Sequence, residues 1–311
     1  MSGPFAGDAH ALRTVGGVVA RHRVFAIVVT FNPELDVFAA LLDATRAQVE
    51  VSLVIDNGST PECAARIEQA CGRRAVLHRL SANVGIAAAQ NRGVALAREQ
   101  GATDVLLLDH DSVPQPGMVA TLVKAASQLR GSGHVLGAVG PAIVDRKSRA
   151  AAPVPVIADG GITFVDVGGT APVRCEYLIA SGTLIALEAF HAVGPMNEAY
   201  FVDQVDVEWC LRAGAAGRAI FCVPQARLEH AIGDEVVSFW LLGRRELPVH
   251  SPMRDYFYFR NSLRLIRSPY VSLPWRRFWK RRLVRLFVVQ TLFAPARLRR
   301  IRAMLSGLWA A

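Results

Sequence analysis

The last 56 residues of the chain, from Tyr256 to Ala311, contain no Asp and no Glu. Of the 35 Lys and Arg residues, 13 fall in that segment, so the formal charge of +9 belongs to the tail. Residues 1–255 hold 22 basic against 26 acidic groups, a net of −4. An acidic body argues against nucleic acid as a partner, despite the basic tail. Cysteine is also scarce. The five present are odd in number and without C-x-x-C spacing, which argues against a disulfide framework or zinc ribbon and fits a reducing cytosol. No apolar run reaches the roughly 20 residues that span a bilayer. The longest, Leu283–Ala294, is too short and contains Arg285. The N-terminus lacks a charged-then-apolar secretion pattern, because its first long apolar run, Val24–Phe31, has the length of a strand. There is no G-x-G-x-x-G and no G-x-x-x-x-G-K-[ST], which argues against a Rossmann dinucleotide site and a P-loop. These absences predict a cytoplasmic protein whose membrane contact, where it has any, is peripheral.

What is present is a core-forming chain, 52% hydrophobic over 311 residues. Residues 1–22 read as a flexible, Gly-rich leader. Strand and helix signals then alternate: strands at Val24–Thr30, Val51–Ile55, Ala75–Leu80 and Val105–Leu108, helices at Leu35–Gln48, Pro61–Cys71 and Gly85–Gln100. This spacing predicts an α/β fold with a mostly parallel, doubly wound sheet flanked by helices. Further on, strands are expected at Val139–Val144, Leu178–Leu187 and Ala219–Val223, a helix at Asp206–Ala216, and a loop from Ala150 to Pro172.

In an open parallel sheet, ligands bind beyond the carboxyl ends of the strands. Those ends carry Thr30-Phe31-Asn32, Asp56-Asn57-Gly58 and Asp109-His110-Asp111. Carboxylates two residues apart present oxygens to a hard cation such as Mg²⁺, which favours one or two carboxylates plus substrate phosphates. The same triplet also suits a polar turn before Pro114. Asn83-Val84-Gly85 opens a helix whose small first turn admits a phosphate or sugar, or simply packs on the sheet. Near Asp206, a helix beginning at Asp203 puts Asp203 and Asp206 on one face, and Glu208 about 200° from Asp206. Glu208 stands four residues before Arg212, the spacing of an intrahelical ion pair. Asp206 is the better general base.

Six segments, VVTFNP (Val28–Pro33), VIDNGS (Val54–Ser59), NVGIAAAQNRG (Asn83–Gly93), LLLDHDS (Leu106–Ser112), ASGTLI (Ala180–Ile185) and YFVDQVDVEWCLRA (Tyr200–Ala213), resemble family 2 glycosyltransferases of GT-A fold. They are most similar to the bacterial branch that uses dTDP-L-rhamnose. The resemblance implies a catalytic domain over residues 23–250 and an inverting sugar transfer to a hydroxyl of a saccharide acceptor in cell-surface polysaccharide synthesis; a lipid-linked acceptor is expected from the basic tail alone. It implies that Thr30, Phe31, Asn32, Asp56 and Asn57 hold the nucleoside, and that Asn83, Gly85 and Asn91 line the donor pocket. Asp109 and Asp111 would be the DxD ligands of Mg²⁺ or Mn²⁺, with Asp109 also facing the donor and His230 joining them. Asp206 would be the catalytic base. Val205 stands where the family has a Glu, which leaves Asp203 as the candidate helper acid. Ser181 and Gly182 would border the acceptor pocket. Arg254, Tyr258, Arg260 and Asn261 would reach the diphosphate or the acceptor. A UDP-sugar donor is the alternative within the family; a sugar-phosphate nucleotidyltransferase is disfavoured, since VVTFNP lacks a Gly-rich loop.

Residues 251–311 read as a basic amphipathic helical region. Trp275, Phe278, Trp279, Leu283, Leu286 and Phe287 form one helical stripe flanked by Arg and Lys. That is the composition of a helix lying on an anionic membrane. It equally suits a helix pair packed on the catalytic domain or in a homo-oligomer.

Overall fold

The computed structural model describes residues 12–15, 18–145, 150–230, 235–240, 244–249 and 251–311, with side-chain environments for 22–145, 150–229 and 251–311. Four strands open the main sheet: β1 (Val24–Thr30), β2 (Val51–Asp56), β3 (Val76–Arg79) and β4 (Asp104–Asp109). They pair in parallel in the order β3-β2-β1-β4. Helices α1 (Leu35–Arg46), α2 (Pro61–Cys71) and α3 (Ile86–Glu99) connect them. The sequence reading places each of these seven elements to within about two residues.

Alternation along β1 explains the layering. Phe25, Ile27 and Val29 enter a core with α3, while Val24, Ala26 and Val28 enter a second core with α1. A strand apolar on both faces stays buried only between two helix layers. α3 lies very close to the sheet, since a Cβ on Gly93 would collide with Ile27 Cγ2.

Beyond β4 the sheet becomes mixed. It continues through β5 (Ser112–Pro114), β6 (Leu136–Asp145), β7 (Val173–Cys175), β8 (Leu184–Ala186) and β9 (Ala219–His230). β8 inserts antiparallel between β4 and β6, β9 runs parallel to β6, and β5 and β7 pair antiparallel with β9. The fold class is as expected, and several boundaries are corrected: β6 begins at Leu136, ahead of the expected Val139, and β9 runs past the expected Val223 to His230. Leu178–Thr183 is not strand. The stretch expected to loop contains a hairpin of Val154–Ala158 and Gly161–Val165. Within the expected leader, Leu12–Val15 pairs with Val18–Arg21. Glu235–Trp240 and Arg244–Val249 form another hairpin.

Helices α4 (Met118–Gly131), α5 (Leu187–Val193) and α6 (Val205–Ala215) complete the layers. The tail folds into α7 (Pro252–Arg267), α8 (Leu273–Phe293) and α9 (Arg297–Trp309). Trp275, Trp279 and Leu283, the stripe that suited a membrane, are buried in a third core with Val207 and Leu211 of α6 and Phe259 of α7. The stripe is therefore internal packing. Among the described residues no helix is long and apolar enough to cross a membrane.

Gly93→Ala should cost about 1–3 kcal/mol of stability through overpacking, read as a lowered melting temperature. Gly131→Ala, where a new Cβ meets nothing within 4 Å, is the control. Equal melting temperatures for the two variants would mean that α3 lifts from the sheet without cost.

Candidate active site

The register of the parallel strands brings three polar clusters to one edge. Thr30 pairs with Asp56, and Val29 with Asp109, so the three carboxyl ends are level. Local hydrogen bonds then fix the loops. The Asn32 backbone N–H donates to Ser59 Oγ at 2.8 Å, and Asn32 Oδ1 accepts from the Thr60 N–H at 3.0 Å. Asp56 Oδ1 accepts from the Ser59 N–H at 3.1 Å. Asn57 Oδ1 accepts from the Val84 N–H at 3.0 Å, while its amide donates to Asn83 Oδ1 at 3.1 Å. The expected nucleoside residues and the Asn83 loop thus form one connected floor. Phe31 is exposed at its rim, and the Thr30 hydroxyl is buried with no protein partner.

Asp109 ends β4. Its backbone N–H donates to Ser181 Oγ at 3.2 Å, and Ser181 Oγ bonds Ser112 Oγ at 2.6 Å. Ser181 is fully buried, so it braces the Asp109–Ser112 turn from behind and presents no surface to an acceptor. Gly182 is needed for contact, because a Cβ there would meet Pro141 at 2.6 Å. Burial, followed by the charges of Asp111 and Asp206, pushes the Asp109 carboxyl up to about 7, with Arg254 partly offsetting this. Clustered carboxylates of this kind favour a nearby cation. Among the described residues no group of three or more His, Cys, Asp or Glu forms a metal cage. Two carboxylates two residues apart suit a hard divalent ion whose remaining ligands are phosphate and water. His230 is paired in register with Ser112 on β9; its side chain lies outside the described environments.

Asp206 sits in the first turn of α6. Its Oδ1 accepts from the Val207 N–H at 2.8 Å and its Oδ2 from the Ala180 N–H at 3.0 Å. Burial raises its pKa, these backbone donors lower it, and Asp203 raises it. The carboxylate is therefore both oriented and held against full stabilisation as an anion, a useful state for a base. Asp203 is bound through two oxygens to Arg254, at 2.7 and 3.4 Å. Glu208 pairs with Arg212 as its spacing implied, and also accepts from the Tyr270 hydroxyl at 2.7 Å.

The turn leading to Asp206 is unusual. Phe201, Asp203 and Gln204 all have positive φ (57°, 62° and 64°), and the Val202 N–H donates to the Tyr200 carbonyl at 2.6 Å, an i to i+2 turn. Asn261, fully buried on α7, holds this turn. Its Nδ2 lies 2.6, 2.7 and 3.0 Å from the carbonyls of Tyr200, Val202 and Asp203. Arg260 donates to the Ala199 carbonyl at 2.6 Å and lies over the Phe257 ring. Both residues, expected at the diphosphate or acceptor, spend these groups on the protein.

Gly85 belongs to the same unit. A Cβ on it would meet Phe201 at 2.6 Å, and the neighbouring Ile86 N–H donates to the Phe201 carbonyl at 2.6 Å. The space and the N–H expected to serve a phosphate are taken by the turn. Asn91 stands apart, bonding Met196 with both its amide and its oxygen, and also Glu198. Sequence reasoning missed Tyr177, whose hydroxyl pKa is raised by burial and then by Asp206. It also missed Arg282, which donates to the Tyr258 hydroxyl at 2.7 Å.

The profile of the family described as "Glycosyl transferase family 2" matches residues 25–151. A curated relative, "dTDP-rhamnosyl transferase RfbF" of Shigella flexneri, is 32% identical over 253 residues, covering 80% of this chain and 82% of its own. Two solved structures share the fold at 14% identity over 88% of this chain. They are GalNAc-T7 with UDP, GalNAc and Mn²⁺ (TM-score 0.55) and S. aureus TarS (TM-score 0.52). The chain spans 58% and 44% of their lengths. With the profile on the first half of the sheet and a relative aligned across four fifths of the chain, the protein is a member of glycosyltransferase family 2.

Proposed function

We propose that the protein transfers L-rhamnose from dTDP-L-rhamnose to a hydroxyl of a saccharide acceptor in cell-surface polysaccharide synthesis. The observation that carries this reading is the placement of Asp206. Its carboxylate is fixed by two backbone N–H groups and lies close enough to Asp109 to raise that group's pKa. The relative's name supports rhamnose and thymidine diphosphate.

Asp206 accepts the proton of the acceptor hydroxyl as its oxygen forms a bond to the anomeric carbon. The bond from that carbon to the diphosphate oxygen breaks on the opposite face, so one displacement inverts the centre and dTDP departs. Asp109 and Asp111 would hold Mg²⁺ or Mn²⁺, with His230 as a further donor; the ion would neutralise charge on the leaving diphosphate. Asp203 acts on the site through Arg254, whose positive charge opposes the repulsion among the carboxylates. Thr30, Asn32, Asp56 and Asn57 form the nucleoside floor. The acceptor is lipid-linked and the enzyme works peripherally at the cytoplasmic face of the inner membrane; the basic tail supports this.

Calorimetry against dTDP-rhamnose, UDP-sugars and GDP-sugars tests the donor, and preference for a UDP-hexose would retire rhamnose. Asp206→Asn should lower kcat by about 10²–10⁴-fold with little change in donor affinity. Near-normal turnover would show that the base lies elsewhere. EDTA should abolish transfer, restored by Mg²⁺ or Mn²⁺; transfer indifferent to chelation would remove Asp109 and Asp111 from metal binding. Asn261→Ala frees the turn before Asp206 and should lower kcat about 10²-fold while dTDP affinity stays near normal. A variant that loses only thermal stability would make Asn261 a structural residue alone.

A further inference from the structure

With Trp275 and Trp279 buried, α8 and α9 leave a different set of apolar residues outside. At about 100° per residue, Leu298, Arg302, Leu305 and Trp309 of α9 share one direction. They lie opposite Arg300, Met304 and Gly307, which face inward. Leu298 is 76% exposed, Leu305 51% and Trp309 92%. On α8, Arg277, Arg281, Val284, Val288 and Leu292 likewise lie opposite the buried Trp275 and Trp279. An indole almost wholly in water is costly unless something covers it.

The end of α9 is also fixed in place. Gly307 packs so closely on α7 that a Cβ would meet the Tyr256 carbonyl oxygen. Arg264 donates to the Ala310 carbonyl at 3.1 Å, and Arg267 to that of Ala311 at 3.0 Å. Trp309 is therefore presented outward by a braced helix. Where α8 turns into α9, an open groove is lined by Phe293, Arg297, Leu298 and Arg299, which places guanidinium groups beside apolar surface.

We infer that the outward face of α9, continued by Val288 and Leu292 of α8, docks on an anionic lipid bilayer, with Trp309, Leu305 and Leu298 entering the headgroup boundary. This deepens the membrane reading given above and rests on it. Charge complementarity selects the occupant. Every charged side chain from Tyr256 to Ala311 is basic, so a second copy of this face would set arginine against arginine. Anionic lipid satisfies the guanidinium groups and the apolar side chains together. The surface differs from the Trp275–Phe287 stripe, since the tryptophan that inserts is Trp309, while Trp275 and Trp279 hold the tail to the catalytic domain.

The test is co-sedimentation of the full chain with vesicles of phosphatidylcholine alone or with about one third phosphatidylglycerol, at low and high salt. Binding should require the anionic lipid and weaken with salt. Trp309→Ala should weaken partitioning about tenfold. Trp309→Phe should keep binding but lose the quenching of tryptophan fluorescence by brominated lipid. Undiminished binding by the triple variant Trp309→Ala/Leu305→Ala/Leu298→Ala would overturn the proposal. So would a dimer in sedimentation velocity that those substitutions dissociate, which would make a second copy the occupant. Calorimetry with dTDP separates the two readings: vesicle binding without dTDP binding would refute the donor and leave the surface, and the reverse would refute the surface and leave the donor.

Discussion

The carboxamide of Asn261 holds three carbonyls of one tight turn, and much of the molecule's organisation depends on that contact. A turn with three non-glycine residues at positive φ is costly by itself, of order 1–3 kcal/mol for each such residue. It persists because surrounding structure fixes it. Asn261 grips Tyr200, Val202 and Asp203 from α7, Ile86 donates to Phe201 from α3, and Gly85 yields the room that Phe201 fills. The turn delivers the chain into α6 with Asp206 in its first turn. The tail helix, the sheet-covering helix and the base are thereby made one mechanical unit.

Electrostatics places opposite demands on this unit. Asp111 and Asp206 are near enough to Asp109 to add to the rise that burial imposes on its proton affinity, a configuration that folding alone disfavours. Arg254, bound to Asp203 from the start of α7, supplies partial relief. It is counted among the cations of the acidic body, so the body's net charge of −4 hides a cation committed to the acidic centre.

The first half of the fold was legible because β1, β2 and β4 are continuous apolar runs of strand length, each ended by a polar cluster. Parallel pairing then had to bring those clusters to one edge. Past Val135 legibility fell, since β8 is three residues long and antiparallel, and the 154–165 hairpin sits in composition that resembles a loop. At the site, Asp109, Asp111 and Asp206 could be found from spacing and helix geometry. The roles of Gly85, Asn91, Ser181 and Asn261 could not. Each is fixed by contacts with residues at least 58 positions away, and a motif does not reveal whether its polar atoms face a ligand or the protein.

The tail shows the same ambiguity in its sharpest form. A stripe of Trp and Phe flanked by arginine has one pattern whether it meets lipid or a neighbouring helix, because the period of a helix fixes which residues share a face and not what the face meets. What decides is the presence of complementary apolar surface within the same chain. α6 offers Val207 and Leu211, and α7 offers Phe259, so the larger aromatics turn inward. Asp255, the last acid in the chain, then sets the position of α9. Only 4% exposed, it accepts from Arg300 at 2.5 Å and from Gln290 at 3.1 Å. Removing one member of a buried pair like this leaves an uncompensated charge, typically costing 3–5 kcal/mol. Arg300 is thereby committed to the interior, which rotates α9 so that Leu298, Leu305 and Trp309 point away from the protein. Together with the close packing of Gly307 on α7, this buried ion pair sets which hydrophobic residues α9 shows to its surroundings.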